Sequence, residues 1–176
     1  MSADYIIREA VPQDADRIVA YMRAIADEPD NGISFASANE FPYSPEDEAQ
    51  IIADYAQAPT SLFLVAEADG AIISVANCRA GNRGYRHTVE LGITVRRDRR
   101  NQGVGTAMMR HIVSWAQANP LIHRLELRVF PDNQRAIHVY EKIGFAHEGV
   151  RRQSFCKAGR FLDLVMMGMV FDREGA

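Results

Sequence analysis

Residues 96–110 read RRDRRNQGVGTAMMR: Arg96, Arg97, Arg99 and Arg100 crowd ahead of Gly103 and Gly105, and an apolar stretch follows. A strand ending near Val95 and a helix starting near Gly103 leave backbone N–H groups unpaired at the helix start, with the helix dipole behind them. That arrangement suits a phosphate, and glycine lets the backbone approach one closely. A P-loop would need GxxxxGK[ST], and no lysine is supplied here. A dinucleotide fingerprint would need GxGxxG, but the run from Gly103 ends in Met108 and lies far from a first βα turn. A second stretch, DNQRAIHVYEKIGF, sets Asn133 and Tyr140 seven residues apart, about two helical turns, with small Ala136 between them. Both then project from one face with room for a ligand, although Tyr140 taken alone also fits a core residue with its hydroxyl at the rim. The histidines, His87, His111, His123, His138 and His147, show no metal-ligand spacing, so no metal is expected. No Ser-His-Asp or Cys-His arrangement stands out.

The elements that must hold these residues are legible from periodicity. Tyr5, Ile6 and Ile7 read as a short strand stopped at Pro12, and Ile18, Met22 and Ile25 give residues 14–27 a helical stripe. Residues 28–44 carry Pro29, Asn31-Gly32 and Pro42 among scattered aromatics, a long irregular connection of the kind that often carries function. Ser44-Pro45-Glu46 then starts a second helix, serine capping it and the acids Glu46, Asp47 and Glu48 meeting its positive end. Residues 61–68, 71–79 and 88–95 are β-rich and the first two are joined by Asp69-Gly70, which predicts an antiparallel meander. Val104, Met108, Ile112 and Ala116 mark the helix after the arginines, its methionines reading as core. Leu125, Leu127 and Val129 alternate as a strand, residues 132–143 form a helix closed by Gly144, and Ala158-Gly159 turns the chain into a last apolar strand at 161–171.

Composition narrows the classes. A chain of 176 residues reads as a single domain, 1–176, able to bury roughly 70% of its unfolded surface. The net charge of −3 argues against nucleic acid as the main partner. No apolar run approaches the roughly 18 residues that span a bilayer, and the acidic N-terminus lacks the flank and core of a signal peptide. No membrane partner and a cytoplasmic location are therefore expected. Cys78 and Cys156 read as reduced structural thiols.

Arg100-Asn101-Gln102-Gly103-Val104-Gly105 resembles the [Q/R]xxGx[G/A] acyl-CoA loop of the GCN5-related N-acetyltransferases, and Asn133, Ala136, Tyr140, Gly144 and Phe145 fill the later NxxAxxxYxxxGF pattern of that family. The resemblance runs through nearly the whole chain in element order. It implies the acyl-CoA N-acyltransferase fold: an α/β (α+β) domain with a mixed, mostly antiparallel central sheet of roughly seven strands flanked by roughly four helices. It also implies acetyl-CoA as cosubstrate. Its pyrophosphate would meet backbone N–H groups of Arg100, Asn101, Gln102, Gly103, Val104, Gly105 and Thr106, its pantetheine arm would lie along Ile93 and Val95, and Asn133 would join the cofactor-binding set. Arg96 and Arg97 fit either the 3′-phosphate or a solvated charge cluster.

Acetyl transfer needs a neutral amine, a polarised carbonyl and a proton for the departing thiolate. By resemblance, a backbone N–H of the strand before the loop stabilises the oxyanion and Tyr140 protonates the sulfur. Glu90, where several family members carry a base, is the candidate to take the amine's proton; it reads equally as an edge-strand glutamate on a solvated face. Gly92, in the same strand, is expected to mark a bulge that splays it from its neighbour. Without a covalent nucleophile, direct attack in a ternary complex is expected.

The acceptor is either a small-molecule amine or a peptide N-terminus, since the final segment looks like members acting on ribosomal-protein termini or small amino acids. Acidic Asp27, Glu28, Asp30 and Glu40 would attract a cationic amine, or are simply a solvated loop, while Arg83, Arg86, Arg151 and Arg152 would as readily read a carboxylate. A homodimer is compatible with the family. The alternative function is a non-catalytic acyl-CoA-binding or sensing module; a nucleotide-dependent oxidoreductase would instead require NAD(P) binding.

Overall fold

The computed structural model describes residues 4–29 and 31–172. Strands β1 (Ile6–Glu9), β2 (Ser61–Ala68), β3 (Ala71–Ala80), β4 (Thr88–Val95), β5 (Arg124–Val129), β6 (Ala146–Lys157) and β7 (Arg160–Val170) form one sheet in the order β1-β2-β3-β4-β5-β7-β6. Every pairing is antiparallel except β4 with β5, which is parallel. Helices α1 (Ala15–Ala26) and α2 (Pro45–Gln57) cover one face; α3 (Val104–Ala118) and α4 (Gln134–Ile143) cover the other. This is the mixed, mostly antiparallel seven-strand sheet with four helices expected from the sequence.

Local chemistry sets the boundaries. Pro45 opens α2 behind a reciprocal cap in which Ser44 Oγ accepts the Asp47 N–H at 3.1 Å and the Asp47 carboxylate accepts the Ser44 N–H at 3.0 Å. Gly144, at φ 111°, closes α4 with its N–H donated to Tyr140 O at 3.1 Å. Both two-residue hairpin tips have paired positive φ angles, 52° and 74° at Asp69-Gly70 and 47° and 75° at Ala158-Gly159. That turn matches the right-handed twist of the strands it joins.

Because both sheet faces are covered, β2 is apolar almost throughout: Leu62, Leu64 and Ala66 pack toward α3 and α4, while Phe63 and Val65 pack toward α1 and α2. Met108, Met109, Ile112 and Ala116 are fully buried, each large side chain contributing about 1.5–3 kcal/mol of transfer free energy. Cys78 lies in the same core, where burial pushes its thiol up, far from any reactive range. The start of α1 is pinned by charge. The Asp14 carboxylate accepts from Arg8 at 2.6 and 2.8 Å, from Arg17 at 2.6 Å and from the Val11 N–H at 3.0 Å. Hydrogen bonding to Arg8, above all, holds it well below the usual carboxylate range.

Two expectations need correction. Sequence reading placed only the Ala158-Gly159 turn ahead of the last strand, whereas β6 runs for 12 residues before it as the edge of the sheet. Nearly all of it is exposed and its ladder slips twice, so no alternating apolar pattern marks it. Gly92 marks no bulge in the ladder with β3, whose register passes unbroken through Asn77↔Gly92, although β4 does part from β5 just before it, after Glu90↔Glu126. A Cβ there would stand 3.1 Å from Asn77 Oδ1, so the glycine answers a close side-chain approach.

Candidate active site

The parallel ladder between β4 and β5 holds only Thr88↔Arg124, Val89↔Leu125 and Glu90↔Glu126. Beyond it, β4 stays paired to β3 as far as Val95↔Ser74, and β5 stays paired to β7 as far as Val129↔Val165. Each strand follows its outer neighbour, and the sheet opens into a V. A cavity of about 460 Å³ fills that opening and reaches both faces of the sheet, from Thr106, Met109 and Val139 of the α3/α4 side to Met22 and Phe35 on the α1/α2 side.

Of the residues singled out by sequence, Glu90, Ile93, Val95, Arg100, Asn101, Gly103, Gly105, Thr106, Asn133 and Tyr140 all line this cavity. Gln102 and Val104 do not: Gln102 is exposed and its side-chain amide bonds Asp98 O at 2.7 Å, while Val104 is buried in the core. Asn101 and Gly103 hold φ angles of 60° and 83°, and Gly103 caps α3, whose first intrahelical bond is Ala107 N–H to Gly103 O at 2.9 Å. The N–H groups of the first turn are therefore left without intrahelical partners, the arrangement an anion would need. At Gly103 the positive φ demands glycine. Gly105 is different, since a Cβ there would meet Val95 Cγ2 at an ordinary 3.5 Å.

The arginines divide by partner. Arg96 pairs with Asp98 at 2.7 Å and Arg99 with Asp69 at 3.5 Å. Arg100 donates through Nε to Val95 O at 2.9 Å and pairs with Glu28, which also accepts the Arg97 N–H at 3.1 Å. Glu28 thus fastens the start of the irregular connection to the anion loop. The Arg97 side chain has no partner among the described residues. Arg135, in the first turn of α4, lines the cavity, and desolvation lowers its pKa.

Asn133 lies just ahead of α4 as its N-cap, accepting the Ala136 N–H at 3.3 Å, so it shares the cavity with Tyr140 without sharing the helix body. Tyr140 packs on Phe145 at 6.1 Å between ring centroids and is 8% exposed. Burial pushes its hydroxyl up to about 12, with Arg135 pulling slightly the other way. A phenol so placed is suited to act as an acid or a hydrogen-bond donor rather than as a base. Glu90 lies at the last rung of the ladder, on the opposite face from Tyr140, and its Oε1 accepts Arg128 Nε at 2.7 Å. The two meet the same space only because the strands part.

Sequence reading missed Arg128, Arg135 and Lys157. The Lys157 ammonium donates to Asn31 Oδ1 at 2.6 Å and Ile33 O at 2.8 Å, clamping the irregular connection against the β6–β7 hairpin. Gly32 in that connection lies against Asn133: a Cβ would fall 2.7 Å from Asn133 Nδ2. These contacts join segments about a hundred residues apart, and no local pattern announces them; only the alternation of β5, which puts Arg128 on a polar face, was available.

Among the described residues no group of His, Cys, Asp or Glu is placed to hold a metal, and no helix is long and apolar enough to cross a membrane. The acetyltransferase (GNAT) family matches residues 13–145. The chain is 34% identical over 108 residues to the L-amino acid N-acetyltransferase AaaT of Escherichia coli (strain K12), covering 61% of this chain and 67% of that protein. It is 33% identical over 89 residues, 51% of each chain, to the L-methionine sulfoximine/L-methionine sulfone acetyltransferase of Pseudomonas aeruginosa. The chain thus spans between half and two thirds of the length of these curated relatives. A GNAT-family acetyltransferase of Streptococcus pneumoniae superposes with a TM-score of 0.89 at 30% identity, covering 96% of this chain and 99% of that one. The Salmonella typhimurium acetyltransferase yncA, solved with its cofactor acetyl-CoA, shares the fold with a TM-score of 0.84 at 22% identity over 99% and 98% of the two chains. The splayed strands, the anion loop, the family match and these likenesses agree: the chain belongs to the acetyltransferase (GNAT) family.

Proposed function

We propose that the protein transfers the acetyl group of acetyl-CoA to the primary amine of a small molecule, by direct attack in a ternary complex. The observation that carries this reading is the cavity through the sheet, which the start of α3, the buried Tyr140 phenol and Glu90 all line. The pyrophosphate takes the first-turn N–H groups of α3, and the space kept free beside Gly105 admits it. Arg97, whose side chain is otherwise unengaged, reaches the 3′-phosphate. The pantetheine arm lies along the unpaired edge of Ile93 and Val95, beside Asn133, and completes the ladder that β5 leaves open.

The amine nitrogen attacks the thioester carbonyl carbon; the C–N bond forms, the C–S bond breaks, and the amine's proton passes to Glu90 directly or through water. A β4 backbone N–H stabilises the oxyanion. Tyr140 donates its proton to the departing sulfur. The relatives named for L-amino acid and methionine sulfoximine acetylation favour a small acceptor over a peptide N-terminus. Thiol release from acetyl-CoA across amino acids, polyamines, aminoglycosides and peptide N-termini tests the proposal. Amine-dependent release is expected. Acetyl-CoA bound without release by any amine would instead identify a binding or sensing module, and NAD(P) binding in place of acetyl-CoA would refute both.

A further inference from the structure

The acidic connection is committed elsewhere. Asp27 Oδ1 accepts the Ala38 N–H at 2.7 Å, Glu40 Oε2 accepts the Ala36 N–H at 2.8 Å, and Glu28 is held by Arg100 and the Arg97 N–H. None of the three lines the cavity, and Asp30 lies outside the described residues. Arg83, Arg86, Arg151 and Arg152 do not line it either. Among the described residues, the charged side chains that do are Glu90, Arg100, Arg128 and Arg135. Arg100 is taken up by Glu28 and Val95 O beside the anion loop, and Arg135 belongs to α4, the wall that carries Tyr140. Among the described residues, the acceptor wall is left with one anion and one cation in mutual contact.

Arg128 and Glu90 share the sheet face turned toward α1 and α2, and their side chains are 43% and 46% exposed, so each can take another partner. The contact uses Arg128 Nε and Nη2 on the single oxygen Oε1 of Glu90. Oε2 and Nη1 remain free of that contact. A purely cationic amine brought to Glu90 would be repelled by the adjacent guanidinium, and a dicarboxylate by Glu90. An α-amino acid carries its ammonium and carboxylate on one carbon, so it sets opposite charges against both ends of the pair, giving four alternating charges in place of two. The geometry points to Arg128 as a specificity-determining residue that binds the free α-carboxylate of a zwitterionic acceptor while Glu90 receives its amine. This assignment rests on the acetyl-transfer reading above and names the acceptor class for that site.

The wild-type enzyme tests it first, with a matched trio: an amino acid, its carboxamide and the decarboxylated amine. The amino acid should be preferred by kcat/KM over both by about 10–100-fold, the range for a lost charged hydrogen bond. Wild type showing no such preference overturns the assignment. Arg128→Gln should collapse the preference through a raised KM for the amino acid, and Arg128→Lys should restore part of it. A ratio unchanged in Arg128→Gln, in protein shown folded by its melting curve, also overturns it. No thiol release with any acceptor would refute acetyl transfer itself, an outcome distinct from release with an intact ratio.

Discussion

Replacing Tyr140 with phenylalanine removes one oxygen from a ring that stays packed on Phe145. Stability should hold within about 0.5 kcal/mol, because no deep polar contact is broken. The kinetic cost is worked from the acid's role. Proton donation by a positioned group is worth about 10²–10⁴ in rate, roughly 3–5 kcal/mol of barrier. Since burial holds the hydroxyl up to about 12, the donor is fully protonated throughout any practical assay. Against a thiol near pKa 8.5 in water, such a donor is too weak unless the sulfur is desolvated as well. The assay is single-turnover transfer at several pH values, which separates chemistry from product release. The phenylalanine variant should lose about 10²–10⁴ in the chemical step with its acetyl-CoA affinity intact, and wild type should show no fall in rate centred near pH 10. A variant within about threefold of wild type in that step would refute Tyr140 as the acid.

Asp14→Asn leaves two guanidiniums facing a neutral amide. It should cost about 2–4 kcal/mol in urea unfolding, below the 3–5 of a fully buried pair because Arg8 and Arg17 are partly exposed. The Asp14 carboxyl is depressed in the folded chain, so its contribution is present above the unfolded value near pH 4 and is lost as pH falls through the folded one. The gap between wild type and variant should accordingly close in acid. Gly32→Ala combines a φ of 69° with a Cβ 2.7 Å from Asn133 Nδ2. It should lower the melting temperature by an amount equivalent to about 1–2 kcal/mol and reduce kcat/KM more than that strain predicts, because the shift passes directly into the cavity wall.

How much of this was legible depends on the range of the interactions involved. Asp69-Gly70, Ser44-Pro45 and Gly144 act through their own backbone angles and nearest N–H groups, so their turns and caps could be read from a few residues. The anion loop is local in the same sense, six residues between a strand and a helix. Strand β6 escaped because it is an exposed edge with slipped register and buries no alternating face. Arg128 with Glu90, Glu28 with Arg100 and Lys157 with residues 31 and 33 escaped because each is made by chain topology. The acidic connection misled for the same reason: its charges look free in sequence, yet Asp27 and Glu40 spend theirs on backbone N–H groups.

That division bears on how the site works. Tyr140 belongs to the α3/α4 face and Glu90 to the α1/α2 face, and a continuous sheet would separate a proton donor from a proton acceptor by its full thickness. Parting β4 from β5 after three rungs removes that barrier, at the expense of backbone groups left unpaired in the middle of a sheet. On the proposed reading an extended amide-bearing arm would repair that loss, and the same opening would let Tyr140 and Glu90 address one carbonyl from opposite sides. On that reading the donor half would be recognised mainly by backbone, which a short motif encodes. The acceptor half would then be read by side chains that distant segments bring to the far wall, so it could change its ligand without disturbing the loop, and the proposed role of Arg128 is an instance of that freedom.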